Sequence, residues 1–308
     1  MNTFPRPKLV LSRCFFERVR YDGGIIINPF VEKLKRYVDF VTVCPEVDMD
    51  LGTPRQRIIV VKEGKDKRLL QPETGKDITP LMENFSVNFL SNLEEVDGFL
   101  LKSKSPSCGV GTTKLYVENK VVGRTYGFFA QAVKERLPHI PIEDEGRLRD
   151  SKIREHFLTR VYAFAELRHL KKNFSPKVLV EFQSAYKYLL MTYNQKALKE
   201  LGQIVAKVGK DPENTLKAYE EVFHRAFHKM PSSSKHTNTL LHILGHLSRR
   251  LNSMEKRHLL SLIQKVKHGR TNHKLVVEIL RNIAYRHGEE YLLRQRYFDP
   301  FPEELLED

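Results

Sequence analysis

The sequence contains few cysteines and no long apolar run. Three cysteines among 308 residues are too few, and odd in number, for a disulfide framework, so they are either inert core residues or ligands and nucleophiles. No segment approaches the roughly 20 apolar residues that cross a bilayer, and the N-terminal segment does not have the form of a signal peptide. We therefore expect a cytoplasmic protein that does not bind a membrane; its oligomeric state is not predicted.

Acidic residues are scarce in the second half of the chain. Residues 1–150 hold 24 basic and 21 acidic residues, a net charge of +3, whereas residues 151–308 hold 28 and 17, a net charge of +11. All three cysteines lie in the first half and 11 of the 12 histidines in the second. This asymmetry indicates a catalytic half and a half that binds a polyanion. From charge alone, a basic and solvated helical surface explains the second half equally well.

The first half alternates between strand and helix patterns. Apolar runs at 9–11, 38–43 and 99–101 are typical of strands, and apolar residues recur at helical spacing over 29–37 and 81–94. This order predicts an α/β N-terminal domain with a mostly parallel sheet covered by helices.

The second half has helical periodicity throughout and predicts an all-α C-terminal domain of roughly six to eight helices. The charged segment EDEGRLRD, residues 143–150, separates the two patterns. We place the domains at 1–145 and 146–308.

Each cysteine follows a predicted strand. Cys14 follows the first strand, Cys44 the second, and Cys108 lies in the SPSCG loop, residues 105–109, after the third. Because the carboxyl ends of parallel strands share one edge of a sheet, we expect the three thiols to meet at one site.

Three thiols restrict the metals that such a site could hold. A structural zinc site needs four protein ligands, usually including a close pair such as CxxC, and the sequence shows neither feature. Soft thiolates suit a four-iron four-sulfur cluster, and three of them would leave one iron open as a Lewis acid toward a soft donor such as sulfur. From spacing alone, three unrelated buried cysteines remain the alternative.

Four polar residues near the cysteines are candidates for chemistry. Glu46, two residues after Cys44, could act as a general base if it is partly desolvated, or it is a surface glutamate in a turn. Ser12, Ser105 and Ser107 could orient a substrate, or they only bond the backbone of their loops.

Two further candidates lie in turn segments. Asp22, within RYDGG at 20–24, is most simply a turn residue but is kept as a candidate for substrate binding. Arg55, within TPR at 53–55, could hold a phosphate or a base edge.

The second half offers a candidate nucleic-acid surface. Tyr186 and Tyr188 flank Lys187, and with the densest basic run they could track a phosphate backbone with some base stacking, the alternative being a solvated helix surface. His242 and His246 share a helix face without an acidic third ligand nearby, which favours a packed or exposed pair over a metal site. The basic run consists of Arg249, Arg250, Lys256, Arg257, Lys265, Lys267 and Arg270.

Several motifs together resemble a known family. LSRC at 11–14, RYDGG, CPE at 44–46, TPR and SPSCG are similar in order and spacing to the thiouracil desulfidase (TudS) family over nearly all of residues 8–142. The second half resembles the helical YbgA-type domain through EDEGRLRD, YKYLLM at 186–191, HTNTLLHILGH at 236–246 and YFDPFPEEL at 297–305. The fused arrangement resembles bacterial enzymes that remove sulfur from 4-thiouridine in tRNA.

The resemblance implies a [4Fe–4S] cluster on Cys14, Cys44 and Cys108, whose open iron takes the thiocarbonyl sulfur. It further implies that Glu46 and Ser105 assist the attack of water, giving uridine in tRNA and sulfide. Two alternatives remain: a desulfidase of free thiouracil-type bases, and a non-catalytic RNA-binding protein with structural cysteines.

The chain departs from the family pattern at two places. Phe15–Phe16–Glu17 stands where relatives usually have Leu-Leu-Gly, and Asp50–Leu51–Gly52 replaces the usual glycine pair before TPR. Neither change removes an expected ligand, but both leave the identity of the substrate more open.

Overall fold

The structure, a computed structural model, describes residues 4–209 and 211–306. The described residues divide into two compact units, one made by Pro5–Ala165 together with 303–306 and the other by Phe4 together with Glu166–Pro302. The boundary predicted between residues 145 and 146 stays a prediction.

The first unit contains both sheets. Its strands are β1 (Lys8–Ser12), β2 (Asp39–Val43), β3 (Ile59–Glu63), β4 (Asp66–Gln71), β5 (Lys76–Asp77), β6 (Gly98–Leu101), β7 (Thr113–Val117), β8 (Lys120–Thr125) and β9 (Ile142–Asp144). Its helices are α1 (Pro29–Leu34), α2 (Pro45–Asp48), α3 (Thr79–Ser91), α4 (Phe128–Arg136) and the first part of α5 (Ser151–Lys172).

The first sheet is entirely parallel, in the order β2-β1-β6-β9. Val10 of β1 lies opposite Val41 of β2 and Phe99 of β6. The central strands β1 and β6 are short apolar runs that are almost completely buried, as expected where helices cover both faces of a parallel sheet. The predicted α/β fold is confirmed, and the carboxyl ends of all four strands lie along one edge.

A second, mixed sheet has the order β5-β4-β3-β7-β8. Strands β3 and β4 form an antiparallel hairpin, whereas β3 and β7 pair in parallel. The β7–β8 hairpin turns at Glu118 and Asn119, which have φ values of 46° and 66°, in the left-handed region that tight hairpin turns need. The sequence analysis did not predict the β7–β8 hairpin or the pairing of β7 with β3.

The core of the first unit is largely aromatic on the side of α3 and α4. Phe99 of β6, Met82 of α3 and Phe129 of α4 are fully buried. The ring of Phe89 contacts that of Phe129 at a centroid distance of 5.5 Å. Burial of each such side chain stabilises the fold by about 1.5–3 kcal/mol.

The second unit is all-helical, as predicted. Its helices after α5 are α6 (Pro176–Tyr193), α7 (Gln195–Val205), α8 (Pro212–Ala226), α9 (Ser233–Leu247), α10 (Ser253–Lys267), α11 (His273–Arg286) and α12 (Glu290–Leu293). After β9, no strand occurs in the described part of the chain. Side-chain N-caps explain several of the starts, because each accepts a hydrogen bond from a backbone N–H of the first turn. These caps are Ser175, Asn194, Asp211, Asn252 and Asn272.

Tyr186 and Tyr188 lie inside this helical unit, so the predicted base-stacking role is wrong for both. The ring of Tyr186 stacks on Phe182 at 4.4 Å, and its hydroxyl donates to Glu166 Oε2 at 2.9 Å. Arg296 Nη2 lies 2.7 Å from the other oxygen of Glu166. Both tyrosines are buried in the core, because burying a large ring gains more than exposing it.

In the described residues, no helix is both long and apolar enough to cross a membrane.

Candidate active site

The three cysteines come together at the carboxyl edge of the parallel sheet. Cys14 lies in a single 3₁₀ turn, Arg13–Phe15, directly after β1. Cys44 follows β2 and forms the N-cap of α2, and Cys108 lies in the loop that leaves β6. All three line one cavity of about 470 Å³. The structure thus brings together the thiols that the parallel topology predicts to meet.

Burial keeps these thiols protonated in the metal-free chain. Cys14, Cys44 and Cys108 are 8%, 8% and 5% exposed. Burial raises the pKa of Cys14 to about 12, and the proximity of Cys44 raises it further. The pKa of Cys44 and that of Cys108 are also raised, mainly by burial, and the three cysteines influence one another electrostatically. The site is therefore a set of soft donors in which burial outweighs the nearby positive charges of Lys102 and Arg55.

This donor set fits an iron–sulfur cluster better than a single ion. Among the described residues, no group of three or more His, Cys, Asp or Glu side chains is arranged to hold one metal ion. A four-iron cluster needs a wider arrangement, because each cysteine binds a different iron. Thiolates are the usual ligands of such clusters, and the cavity is lined by all the cysteines of the chain.

The SPSCG loop is shaped by its first serine. Ser105 Oγ accepts hydrogen bonds from the backbone N–H groups of Ser107 at 3.2 Å and Cys108 at 3.1 Å. The Ser105 carbonyl accepts from Gly109 N at 2.9 Å, and a Cβ on Gly109 would collide with Thr113 Oγ1. Ser105 also lines the cavity, and its hydroxyl hydrogen remains available for another acceptor.

Glu46 lies at the cavity wall with its carboxylate fixed on both oxygens. Glu46 Oε2 accepts from Arg55 Nε at 2.9 Å and Nη2 at 2.5 Å, and Oε1 accepts from Ser107 Oγ at 2.7 Å. The side chains of Arg55 and Glu46 are only 5% and 12% exposed. Each carboxylate oxygen accepts about two hydrogen bonds. Oε2 is therefore filled, and Oε1 keeps one lone pair for a water molecule.

The predicted substrate-binding residues divide into two groups. Ser12 and Arg55 line the cavity. The side chain of Ser12 hydrogen-bonds to Cys108 and lowers the pKa of that thiol against the larger effect of burial. Ser107 is fully buried behind Glu46, and Asp22 binds Arg20 and the N–H of Gly24 in a half-exposed turn; neither lines the cavity.

Comparison with known proteins identifies the first half of the chain. Residues 9–145 match the family model described as 2-thiouracil desulfurase. The N-terminal domain belongs to this family. Residues 187–302 match a second family model, described as a protein of unknown function, DUF1722. The resemblance of residues 8–142 to the thiouracil desulfidase family is thereby confirmed, and this is a family of enzymes.

Two individual proteins are similar to parts of the chain. "Uncharacterized protein YbgA" of Escherichia coli (strain K12) is 27% identical over 151 residues, which are 47% of this chain and 88% of that protein. A solved structure described as a [4Fe-4S]-dependent thiouracil desulfidase TudS is 26% identical, with a TM-score of 0.37, over 47% of this chain and 95% of that chain.

The sequence analysis missed two acidic residues of the desulfurase domain that bind the loops around the site. They lie at the end of β9, the fourth strand of the parallel sheet. Asp144, the last residue of β9, accepts from Val110 N at 3.1 Å and Thr112 Oγ1 at 2.6 Å. Glu145 accepts from Ser103 N at 2.6 Å and Lys102 Nζ at 2.5 Å. Both are buried. The signal was present, since they follow an apolar run just as the cysteines do, but the sequence analysis assigned them to a charged connector.

Proposed function

We propose that this protein is a desulfidase that converts 4-thiouridine in tRNA to uridine, with a [4Fe–4S] cluster bound by Cys14, Cys44 and Cys108. The observation that carries the proposal is the cavity itself. Three buried thiols line it together with the fixed carboxylate of Glu46, in a domain of the 2-thiouracil desulfurase family.

When bound, the cluster supplies an iron with an open position, a soft Lewis acid suited to a thiocarbonyl sulfur. Two side chains of the protein favour the thiolate forms of these cysteines. The positive charge of Lys102 lowers the pKa of Cys14, and the hydrogen bond from Ser12 lowers that of Cys108. Both effects oppose burial and favour the thiolate form that binds iron.

Glu46 and Ser105 serve the attack of water in this proposal. Water adds to the thiocarbonyl carbon, a C–O bond forms and the C–S bond breaks, so that a thiolated uracil and water give uracil and hydrogen sulfide without oxidation or reduction. Glu46 Oε1 accepts a proton from this water, because Arg55 and Ser107 hold it facing the cavity. The Ser105 hydroxyl donates a hydrogen bond to the reacting base.

The basic charge of the second unit supports RNA as the partner. Arg249, Lys265, Lys267 and Arg270 are exposed, and no ion pair of theirs occurs in the described part of the chain. Binding of such cations to a phosphate backbone is favourable because it releases the counterions of the nucleic acid. The name of the matching family, 2-thiouracil desulfurase, favours the free base as the second candidate substrate.

The test is anaerobic purification of the full chain followed by iron and sulfide analysis and substrate assays. We expect about four irons per chain, and a large loss of iron in each of Cys14→Ser, Cys44→Ser and Cys108→Ser. Sulfide release is then measured with 2-thiouracil, 4-thiouridine and tRNA containing 4-thiouridine, at two salt concentrations. Faster release from tRNA that falls steeply with salt supports the proposal.

The variant Glu46→Gln tests the proposed role of the Glu46 carboxylate as a general base. It should lower kcat by roughly 10²–10⁴-fold, as loss of a general base does, while iron content stays normal. Glu63→Gln is the control, since Glu63 lies half-exposed in a surface pair with Arg68. If only the free base is turned over, the second candidate substrate is supported. An iron-free chain that binds RNA with full affinity would contradict a desulfidase acting on either substrate.

A further inference from the structure

A group of apolar side chains lies exposed beside the cavity of the first unit. Tyr21, Ile25 and Ile27 are 49%, 40% and 83% exposed, and Ile27 is the most exposed large apolar side chain in the described part of the chain. Single apolar side chains on a surface are ordinary, but these three occur within seven consecutive residues. A cluster of this kind next to a functional cavity indicates a contact surface.

The two exposed isoleucines are joined to the cavity through the residue between them. Ile26 is half-buried and lines the cavity together with Tyr21, whereas both chain neighbours of Ile26 are exposed to solvent. Adjacent Cα atoms are about 3.8 Å apart. Ile25 and Ile27 therefore lie at the rim of the cavity, on either side of a residue of its wall.

Hydrogen bonds hold this segment in place although it has neither helix nor strand structure. Ile26 N donates to the Cys14 carbonyl at 2.9 Å, and Arg55 N donates to the Tyr21 carbonyl at 2.9 Å. At the end of the segment, the side chain of Asn28 caps helix α1. The exposed isoleucines are therefore carried by an anchored segment, so that little conformational freedom is lost when they contact a ligand.

The burial of the three thiols gives such a surface a task. Cys14, Cys44 and Cys108 are all buried at the cavity wall, so a base that reacts there must enter the cavity. A base in a folded RNA is stacked between its neighbours, and an enzyme reaches such a base by turning it out of the stack. Proteins that unstack bases frequently insert an apolar side chain such as Phe, Leu or Ile at the opened step.

We propose that Ile27, assisted by Ile25, inserts into the base stack of the RNA and takes the place of the thiolated uridine while that base occupies the cavity. This inference rests on the proposed desulfidase function with RNA as the substrate. Both isoleucines are positioning residues, because they contact the bases next to the modified uridine and not the reacting atoms.

The first test compares kcat/KM of the cluster-loaded full chain for 4-thiouridine in two RNAs, an unstructured strand and a hairpin that stacks the modified base in its stem. In Ile25→Ser/Ile27→Ser the ratio of hairpin to unstructured substrate should fall by roughly tenfold or more, because no side chain then replaces the base in the stack. Ile27→Leu keeps an apolar side chain of the same size and should keep the wild-type ratio. Leu81→Ser/Val87→Ser is the matched control, since it removes two exposed apolar side chains of α3 that do not line the cavity.

Two kinetic results overturn the inference. One is an unchanged ratio in Ile25→Ser/Ile27→Ser. The other is an equal loss of kcat/KM on both RNAs, because a strand without stacked bases does not need the insertion. Ile27→Ser alone provides the same comparison should the double variant fail to fold.

A fluorescence measurement separates this inference from the desulfidase proposal, because it requires no turnover. The full chain is titrated into a hairpin that carries uridine at the reactive position and 2-aminopurine as its 3′ neighbour, and the anisotropy of an end label reports saturation. We expect the 2-aminopurine emission to rise with the wild type, since unstacking relieves its quenching, and to stay near that of the free hairpin with Ile25→Ser/Ile27→Ser.

A rise that is lost in the variant supports the insertion even if no thiolated substrate releases sulfide. Saturation of the wild type without a rise, or a rise that survives in the variant, overturns the insertion and leaves the desulfidase proposal intact. A wild type that binds no hairpin overturns the insertion together with RNA as the substrate.

Discussion

The buried pair of Arg55 and Glu46 gives the sharpest prediction about this domain. Arg55→Met removes five hydrogen bonds at once: two to Glu46, and three to Val19, Gly52 and Thr53. The carboxylate would remain buried with Ser107 as its one remaining side-chain donor in the described structure. We therefore expect a large loss of stability as well as of activity.

The magnitude follows from the burial of both partners. Breaking a buried ion pair by removing one partner costs about 3–5 kcal/mol, because the other charge is left uncompensated. The two side chains are 5% and 12% exposed, so solvent screens the pair little. Arg55→Lys keeps the charge but not the planar fork and should cost about 1–3 kcal/mol. In Arg55→Met/Glu46→Gln the cost should be smaller than the sum of the two single losses by about 1–3 kcal/mol.

Urea unfolding of the full chain, followed by far-UV circular dichroism, measures these differences. A loss of 3–5 kcal/mol moves the midpoint by roughly 1–3 M. Hydrogen exchange of the segment from β2 to β3 locates the effect in the first unit. Arg57→Met is the matched control, since Arg57 pairs with Glu73 on the surface and such a pair is worth about 0–1 kcal/mol. The reasoning is refuted if Arg55→Met costs no more than Arg57→Met, or if the double variant shows no coupling.

Three further predictions concern the surroundings of the cysteines. Asp144→Asn should destabilise the chain by about 2–4 kcal/mol, because in either orientation its amide N–H groups would face a backbone N–H, that of Val110 or that of Arg147, whereas the exposed Asp66→Asn should stay within about 0.5 kcal/mol in the same urea assay. In the metal-free chain Cys14 has a pKa of about 12, so iodoacetamide at pH 7.5 should label it roughly 10³-fold more slowly than a free cysteine. The labelling rate should rise as the pH approaches 12, because the fraction of Cys14 in the thiolate form increases. Labelling is measured by mass spectrometry, and fast labelling at pH 7.5 would contradict the prediction. Ser107→Ala should lower kcat by roughly tenfold, because Glu46 loses the donor at Oε1, with iron content unchanged; equal activity would show that Arg55 alone orients the carboxylate.

The parallel sheet and the meeting of the cysteines could be predicted because both follow from local patterns. Short apolar runs identify β1, β2 and β6, and the rule that parallel strands end at one edge then brings Cys14, Cys44 and Cys108 together. No long-range contact had to be known for this inference. The same rule would have placed Asp144 and Glu145 at the site had Ile142–Asp144 been recognised as a strand.

The second sheet and the tyrosines of the helical unit could not be predicted in the same way. Strand β7 pairs with β3 across more than 50 residues of chain, and neither strand carries a signal for the other. The two-residue turn at Glu118 and Asn119 was a local signal, but it has no glycine, which such turns usually contain. For Tyr186, burial depends on the partners Phe182 and Glu166 from the same unit, and the adjacent Lys187 suggested a surface position.

The fourth parallel strand explains why the proposed cluster would have three protein ligands and no fourth. Strands β1, β2 and β6 are each followed by a cysteine, whereas β9 is followed by carboxylates. Both oxygens of Asp144 and both of Glu145 accept hydrogen bonds from the protein, so these groups already have partners and brace the loops at Ser103 and Val110. Glu46 is likewise held by Arg55 and Ser107. Apart from the one lone pair that Glu46 Oε1 keeps, the three thiols are the metal donors that these partners leave facing the cavity, and a cluster on three soft donors would keep one metal position for the sulfur of a substrate.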